Sequence, residues 1–120
     1  MDELVNLQPK TVEKMINDSS VVMIDVRRED EWLRTGLIKN THKMTFFDMY
    51  GNHNVEKWME DFKKIVPNKN TTIVLICAHA NRTRTIGNFL IDQGYKNTAH
   101  LFGGMALWQQ ELRETIKHEA

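Results

Sequence analysis

The chain has 120 residues, enough for one domain with a real core (residues 1–120) and too few for two ordinary ones. Lys plus Arg and Asp plus Glu are each 16, so bulk charge argues against nucleic acid and against an acidic membrane surface as partners; no apolar run approaches the roughly 18 to 20 residues of a membrane span. A single cysteine, Cys77, excludes an internal disulfide and a metal site built from several thiolates, and His42, His53, His79, His100 and His118 show no ligand spacing, so neither metal nor cofactor is expected. The composition is that of a soluble globular domain. Met1-Asp2-Glu3-Leu4 lacks the basic and apolar regions of a secretory leader, and the cytoplasm is the expected compartment.

In chain order, Pro9 suits a first helical position, and Val12, Met15 and Ile16 fall at helical spacing, which predicts a helix over 9–17. After the turn Asp18-Ser19-Ser20, residues 21–26 are rich in β-branched residues and predict a strand buried on both faces. A short helix over 28–35 carries Trp32 and Leu33 and ends at Gly36, where Gly36-Leu37-Ile38 begins a strand or extended arm. Residues 44–50 hold Met44, Phe46, Phe47, Met49 and Tyr50 without a clean period; they are core or the wall of an apolar pocket. Val55, Trp58, Phe62 and Ile65 mark the buried face of the next helix.

Residues 73–76, Ile-Val-Leu-Ile, read as a second buried strand that ends on Cys77. Six residues from Cys77 to Arg82 then lead into a helix over 83–93, stopped by Gly94. A last short strand is expected within 95–101, and a closing helix over 105–117 with Trp108, Leu112 and Ile116 inward. Alternating helices and strands predict an α/β fold, a three-layer α/β/α sandwich around a mainly parallel sheet of about five strands. Ligands of such sheets lie beyond the carboxyl ends of the strands, so Asp25-Val26-Arg27 and Cys77 are expected at one edge. Asp25 and Arg27 serve there as structural support, bonded to backbone or to neighbours such as Glu31.

The first turn of a helix has unpaired N–H groups and a partial positive charge that favour an anion. A thiol beside such a terminus and a guanidinium ionises more readily than a free one, and the thiolate is the nucleophile. This marks Cys77 as the candidate catalytic residue. Ala78, His79, Ala80, Asn81, Arg82 and Thr83 form the candidate binding loop, and Arg84 is a candidate for steering an anionic donor or a helix residue pointing to water. His79 is expected mid-loop with its side chain outward, where it either touches substrate or has no role; Arg82 either closes the loop or pairs with a carboxylate elsewhere.

Cys77 to Thr83 resembles the active-site loop of single-domain rhodanese sulfurtransferases, Cys-x-x-Gly-x-Arg-Ser. Ile24-Asp25-Val26-Arg27, then Glu31, then Gly36-Leu37-Ile38 is similar to that family's Asp-Val-Arg stretch running into Gly-His-Ile, and Gly103-Gly104 followed by Trp108 to its closing Gly-Gly-x-x-x-Trp. Departures are Ala80 for the glycine, Leu37 for the histidine and Asn40-Thr41 for Gly-Ala. The resemblance implies the rhodanese fold and sulfur transfer through a Cys77 persulfide. The donor would be a small sulfur compound such as thiosulfate or a persulfide, and the acceptor cyanide or a thiol, a protein thiol among them.

Two rivals remain at this point. Cysteine-dependent phosphatases also hold an oxyanion in a nest of amides, but with five residues between cysteine and arginine; here only Ala78, His79, Ala80 and Asn81 intervene, and the loop carries no carboxylate acid. A non-catalytic binding or redox-sensing module is the other, because an alanine forced to positive φ at position 80 costs about 1 kcal/mol or more over glycine. The oligomeric state is read no further than monomer or weak homodimer.

Overall fold

A computed structural model describes residues 3–119. Five strands, β1 (Val5–Leu7), β2 (Val21–Asp25), β3 (Thr41–Lys43), β4 (Thr72–Ile76) and β5 (Thr98–Leu101), form one sheet in the order β1-β5-β4-β2-β3 with every neighbouring pair parallel. Five helices connect and flank them: α1 (Pro9–Met15), α2 (Glu29–Thr35), α3 (Val55–Ile65), α4 (Asn81–Asp92) and α5 (Gly104–Gln110).

Parallel strands need crossover connections, and the helices that make them cover both faces of the sheet, which is why β2 and β4 read as continuous apolar runs. On one face Ile24, Val26, Ile73, Leu75 and Cys77 pack with Trp58 and Phe62 of α3 and Ile86 and Leu90 of α4. On the other, Met23, Val74, Ile76 and Leu101 pack with Val12 of α1 and with Met105 and Trp108 of α5. Each such side chain, fully buried, contributes about 1.5 to 3 kcal/mol.

Residues 44–50 belong to the core in their first half only. Phe46 is buried in the core, 4.8 Å from Phe47 and 5.1 Å from Trp58 between ring centres, and the Trp58 indole N–H donates to the Met44 carbonyl at 3.0 Å. Met49 and Tyr50 are exposed. The loop therefore anchors by its first half and presents its second to solvent.

The strand β1 falls where the sequence predicts none, and two expectations change. β1 carries no buried run, since Val5 is half exposed, and it exists because its backbone pairs with β5. The arm after Gly36 makes a single antiparallel bridge, Leu37 with Ile116, and the edge strand begins only at Thr41. The closing helix ends at Gln110, not at 117. Leu112 takes a φ of 57° and is 91 % exposed, and Ile116 is half exposed, so neither points inward as its helical spacing from Trp108 suggests. The reversal lets Ile116 exchange two backbone hydrogen bonds with Leu37, at 2.8 and 2.7 Å, and lets the Trp108 indole donate to the Glu114 carbonyl at 3.0 Å. These bonds satisfy groups that a longer helix would leave at the sheet's flank.

No helix among the described residues is long and apolar enough to cross a membrane. No group of three or more His, Cys, Asp or Glu stands close enough to hold a metal ion, again among the described residues.

Candidate functional site

The strand order places the site. The chain leaves β2 toward β3 on one side and leaves β4 toward β5 on the other, so the connections after these two adjacent strands diverge and open a crevice beyond their carboxyl ends. β2 and β4 are in register from Val21 with Thr72 to Asp25 with Ile76, which brings the residues after Asp25 and after Ile76 together as expected.

The first of these groups is scaffold. Arg27 is 1 % exposed; its Nε donates to Asp25 Oδ1 at 3.0 Å and its Nη2 to Asp25 Oδ2 at 2.8 Å. Its remaining donors reach Thr35 Oγ1 at 2.7 Å and the Gly36 carbonyl at 2.9 Å. The fully buried pair thus ties the end of β2 to the end of α2, and breaking it would strand a buried charge.

Glu31 is not its partner. It accepts instead from Arg82, Nη1 to Oε1 at 2.8 Å and Nη2 to Oε2 at 2.7 Å, and from the Arg28 backbone N–H at 3.3 Å. This two-pronged pair clamps the start of α2 to the start of α4 across the crevice. Burial pushes the Glu31 carboxyl up, but the Arg82 hydrogen bonds, the Arg28 N–H and both guanidinium charges outweigh it and hold the group below 4.5. Arg82 is raised in turn, first by its hydrogen bonds to Glu31, with the nearby Cys77 and Asp25 adding. Arg82 therefore both stands at the loop's close and pairs with a carboxylate. Glu31 is the residue that sequence reasoning named but assigned to the wrong cation; its place on the first turn of a helix beside the site was the available signal.

Cys77 follows β4 directly and is 1 % exposed. Ala78 is half-buried, His79 and Asn81 are exposed, and Ala80 is buried with φ 70° and ψ 7°. The left-handed turn that a glycine would make is thus made by alanine, at a strain of about 1 kcal/mol. α4 starts on the next residue with no side chain capping it, so the N–H groups of Asn81, Arg82 and Thr83 have no carbonyl within the helix. His79 is outward, as expected. Arg84 is exposed and lines a cavity of about 660 Å³ with Glu3, Asn6, Asp92 and His100, on the side of α4 turned toward β1 and β5.

The loop is supported from behind by the Gly-Gly pair. The Met105 N–H donates to the Cys77 carbonyl at 2.8 Å and the Ala106 N–H to the Ala78 carbonyl at 3.0 Å. Gly104, at φ 60°, lies so close that a Cβ there would stand 2.5 Å from each of these oxygens. Only a residue without a side chain lets α5 approach the backbone that carries the cysteine.

The model of the Rhodanese-like domain matches residues 8–111. The chain belongs to the rhodanese-like domain family. This rhodanese-like chain is 29 % identical over 98 residues to an uncharacterised protein of Rickettsia prowazekii, covering 79 % of this chain and 77 % of that one. It is similar to the polysulfide-sulfur transferase of Wolinella succinogenes, a homodimer in solution, with TM-score 0.73 and 26 % identity over 97 % of this chain and 80 % of that one. The rhodanese-related protein of Thermoplasma volcanium shares the fold at TM-score 0.72 and 21 % identity, over 95 % of this chain and 99 % of that one. The rhodanese-like loop keeps four residues between Cys77 and Arg82.

Proposed function

We propose that the protein is a sulfurtransferase that carries one sulfane sulfur on Cys77. The observation that supports this best is the Cys77 loop itself, since Ala80 adopts a left-handed conformation at the position where the family's pattern has glycine, and the first turn of α4 leaves its N–H groups free at the end of β4.

The Cys77 thiolate attacks the outer sulfur of a donor such as thiosulfate or a low-molecular-weight persulfide. A bond forms between the two sulfurs, the donor's own sulfur bond breaks, and its electron pair leaves on sulfite or on the donor thiolate. The persulfide carries its charge one atom beyond the cysteine, where the N–H groups from Ala78 to Thr83 donate to it. Cyanide or a thiol then attacks that outer sulfur and restores the thiolate. Asp25 and Arg27 hold the frame, and Glu31 fixes the position of Arg82. Glu31 takes one N–H of each terminal nitrogen of Arg82, so the charge of the persulfide is shared between the backbone dipoles and a guanidinium already paired.

Mass spectrometry of the intact protein tests this. Incubation with thiosulfate, glutathione persulfide or a polysulfide adds one sulfur atom, cyanide or a thiol removes it, and Cys77→Ser abolishes the gain while remaining folded by circular dichroism. A wild-type mass unchanged by all three donors overturns the reading in favour of a binding module. Faster hydrolysis of an aryl phosphate than sulfur transfer at equal substrate overturns it in favour of a phosphatase.

A further inference from the structure

Side chains alternate along β5, so that Leu101 faces α1 and α5 while His100 faces the opposite layer, in register with Leu75 of β4. His100 is 1 % exposed, and an imidazole buried so completely on a sheet face needs a polar partner. The partner is Thr83, fully buried in the first turn of α4, whose Oγ1 lies 2.8 Å from His100 Nδ1. The same oxygen lies 3.5 Å from Cys77 Sγ. A continuous chain of three side chains therefore runs from the cysteine sulfur, behind the loop, to a histidine that lines the cavity shared with Arg84.

We infer that His100 receives the Cys77 proton through Thr83 and releases it into that cavity, on the side of α4 turned toward β1 and β5. The inference rests on Cys77 acting as a sulfur nucleophile, and it adds where the proton goes when it does. A threonine hydroxyl has one proton to give, which makes the chain directional. In the resting thiol, S–H donates to Thr83 Oγ1, and the Thr83 O–H donates to a bare Nδ1. In the activated state Nδ1–H donates to Oγ1, and the Thr83 O–H donates to the thiolate. One proton has left sulfur and one has reached the ring, so charge is conserved as a thiolate and an imidazolium. The ring then loses its Nε2 proton to cavity water and ends neutral in the other tautomer.

The surroundings favour that last step. Burial lowers the His100 pKa below 6.5, and the Arg84 charge lowers it further, so the imidazolium does not persist. The charged groups around the cavity are Glu3 before β1, with Arg84 and Asp92 of α4; β1 contributes Asn6 and β4 contributes Leu75 opposite the ring. Two carboxylates on the wall give the departing proton a place to go. Thr83 touches the reacting sulfur, and His100 is a positioning residue that acts through it.

The test needs no sulfur donor, so it separates this inference from the function on which it rests. In the full chain, alkylation of Cys77 by iodoacetamide is followed against pH in wild type, His100→Asn, Thr83→Val and Thr83→Ser. Asparagine keeps a hydrogen-bonding atom near the place of Nδ1 but takes no proton. Alkylation at pH 7 is expected to fall about tenfold in His100→Asn and in Thr83→Val, and to stay near wild type in Thr83→Ser, an effect below the full range of general-base catalysis because ionisation alone is probed. The unmutated chain, labelled with ¹⁵N-histidine, is expected to show the His100 ring passing from its Nε2–H to its Nδ1–H tautomer over the pH range in which alkylation accelerates. A His100→Asn profile that superimposes on wild type overturns the relay, as does a ring that keeps one tautomer throughout. If His100→Asn fails to fold, the tautomer measurement decides alone. A protein that takes up sulfur yet lacks the tautomer change retires the relay and keeps the function; one that shows the change yet takes up no sulfur does the reverse.

Discussion

Replacing Gly104 by alanine tests whether the Cys77 loop is held from behind. At φ 60° an alanine adds about 1 to 2 kcal/mol of left-handed strain. Its Cβ would also stand 2.5 Å from the carbonyl oxygens of Cys77 and Ala78. Those oxygens cannot withdraw freely, because they accept from Met105 and Ala106 at 2.8 and 3.0 Å; forcing a backbone shift of this kind costs about 1 to 3 kcal/mol. The loss of chain freedom in the unfolded state returns about 0.4 to 1 kcal/mol. The net loss is about 1 to 5 kcal/mol, a fall in the urea midpoint of about 0.5 to 2.5 M at a slope of about 2 kcal/mol per M. Gly51 supplies the control: it has φ 82° and no atom within 4 Å of where a Cβ would stand, so Gly51→Ala carries the strain alone. Sulfur uptake by the folded fraction of Gly104→Ala is expected to drop as well, and that of Gly51→Ala to stay. Equal midpoints for the two variants would refute the account of α5 as the loop's support.

Acid is expected to destabilise the protein in two windows. His100 has a folded pKa below 6.5, so the unfolded chain binds a proton first and stability falls as pH drops from 6.5 toward the folded value; urea midpoints from pH 8 to 5 should show a steeper decline for wild type than for His100→Asn. Glu31 has a folded pKa below 4.5, so its contribution is complete above that value and is lost as pH falls through the folded one; Glu31→Gln should lose about 2 kcal/mol at pH 7 and show less further loss between pH 4.5 and 3. Leu112→Gly should leave the urea midpoint unchanged or raised, because the side chain is 91 % exposed at φ 57°, whereas an inward helical leucine would lose about 2 kcal/mol or more on the same change.

Buried parallel strands were the most legible part of the chain, since β2 and β4 are apolar on both faces and no other element needs that pattern. The site's position followed from them, because two such strands ending in Asp25 and Cys77 meet at one edge. Ala80 was legible as a point of strain and is one, at φ 70°. What stayed hidden depends on partners distant in sequence. β1 has no pattern of its own and is defined by β5; Leu112 and Ile116 repeat a helical spacing that backbone pairing with Leu37 overrides. In the sequence His100 is one of five histidines without ligand spacing. Its signal was a polar residue inside an otherwise apolar strand beside the cysteine strand, and it needed the order β5-β4 to be read.

The same α5 contacts set an order of events during synthesis. β4, the cysteine loop and α4 leave the ribosome before β5 and α5, yet the carbonyls of Cys77 and Ala78 find their donors only on Met105 and Ala106, and the Thr83 hydroxyl finds its imidazole only on His100. β1 likewise waits for β5, on which its pairing depends. A nascent chain that has emerged only through α4 carries Cys77 on a loop without backing. On the proposed function, competence for chemistry is in this way tied to completion of the sheet, and a partly made chain holds a thiol but not the cradle that would keep sulfur on it.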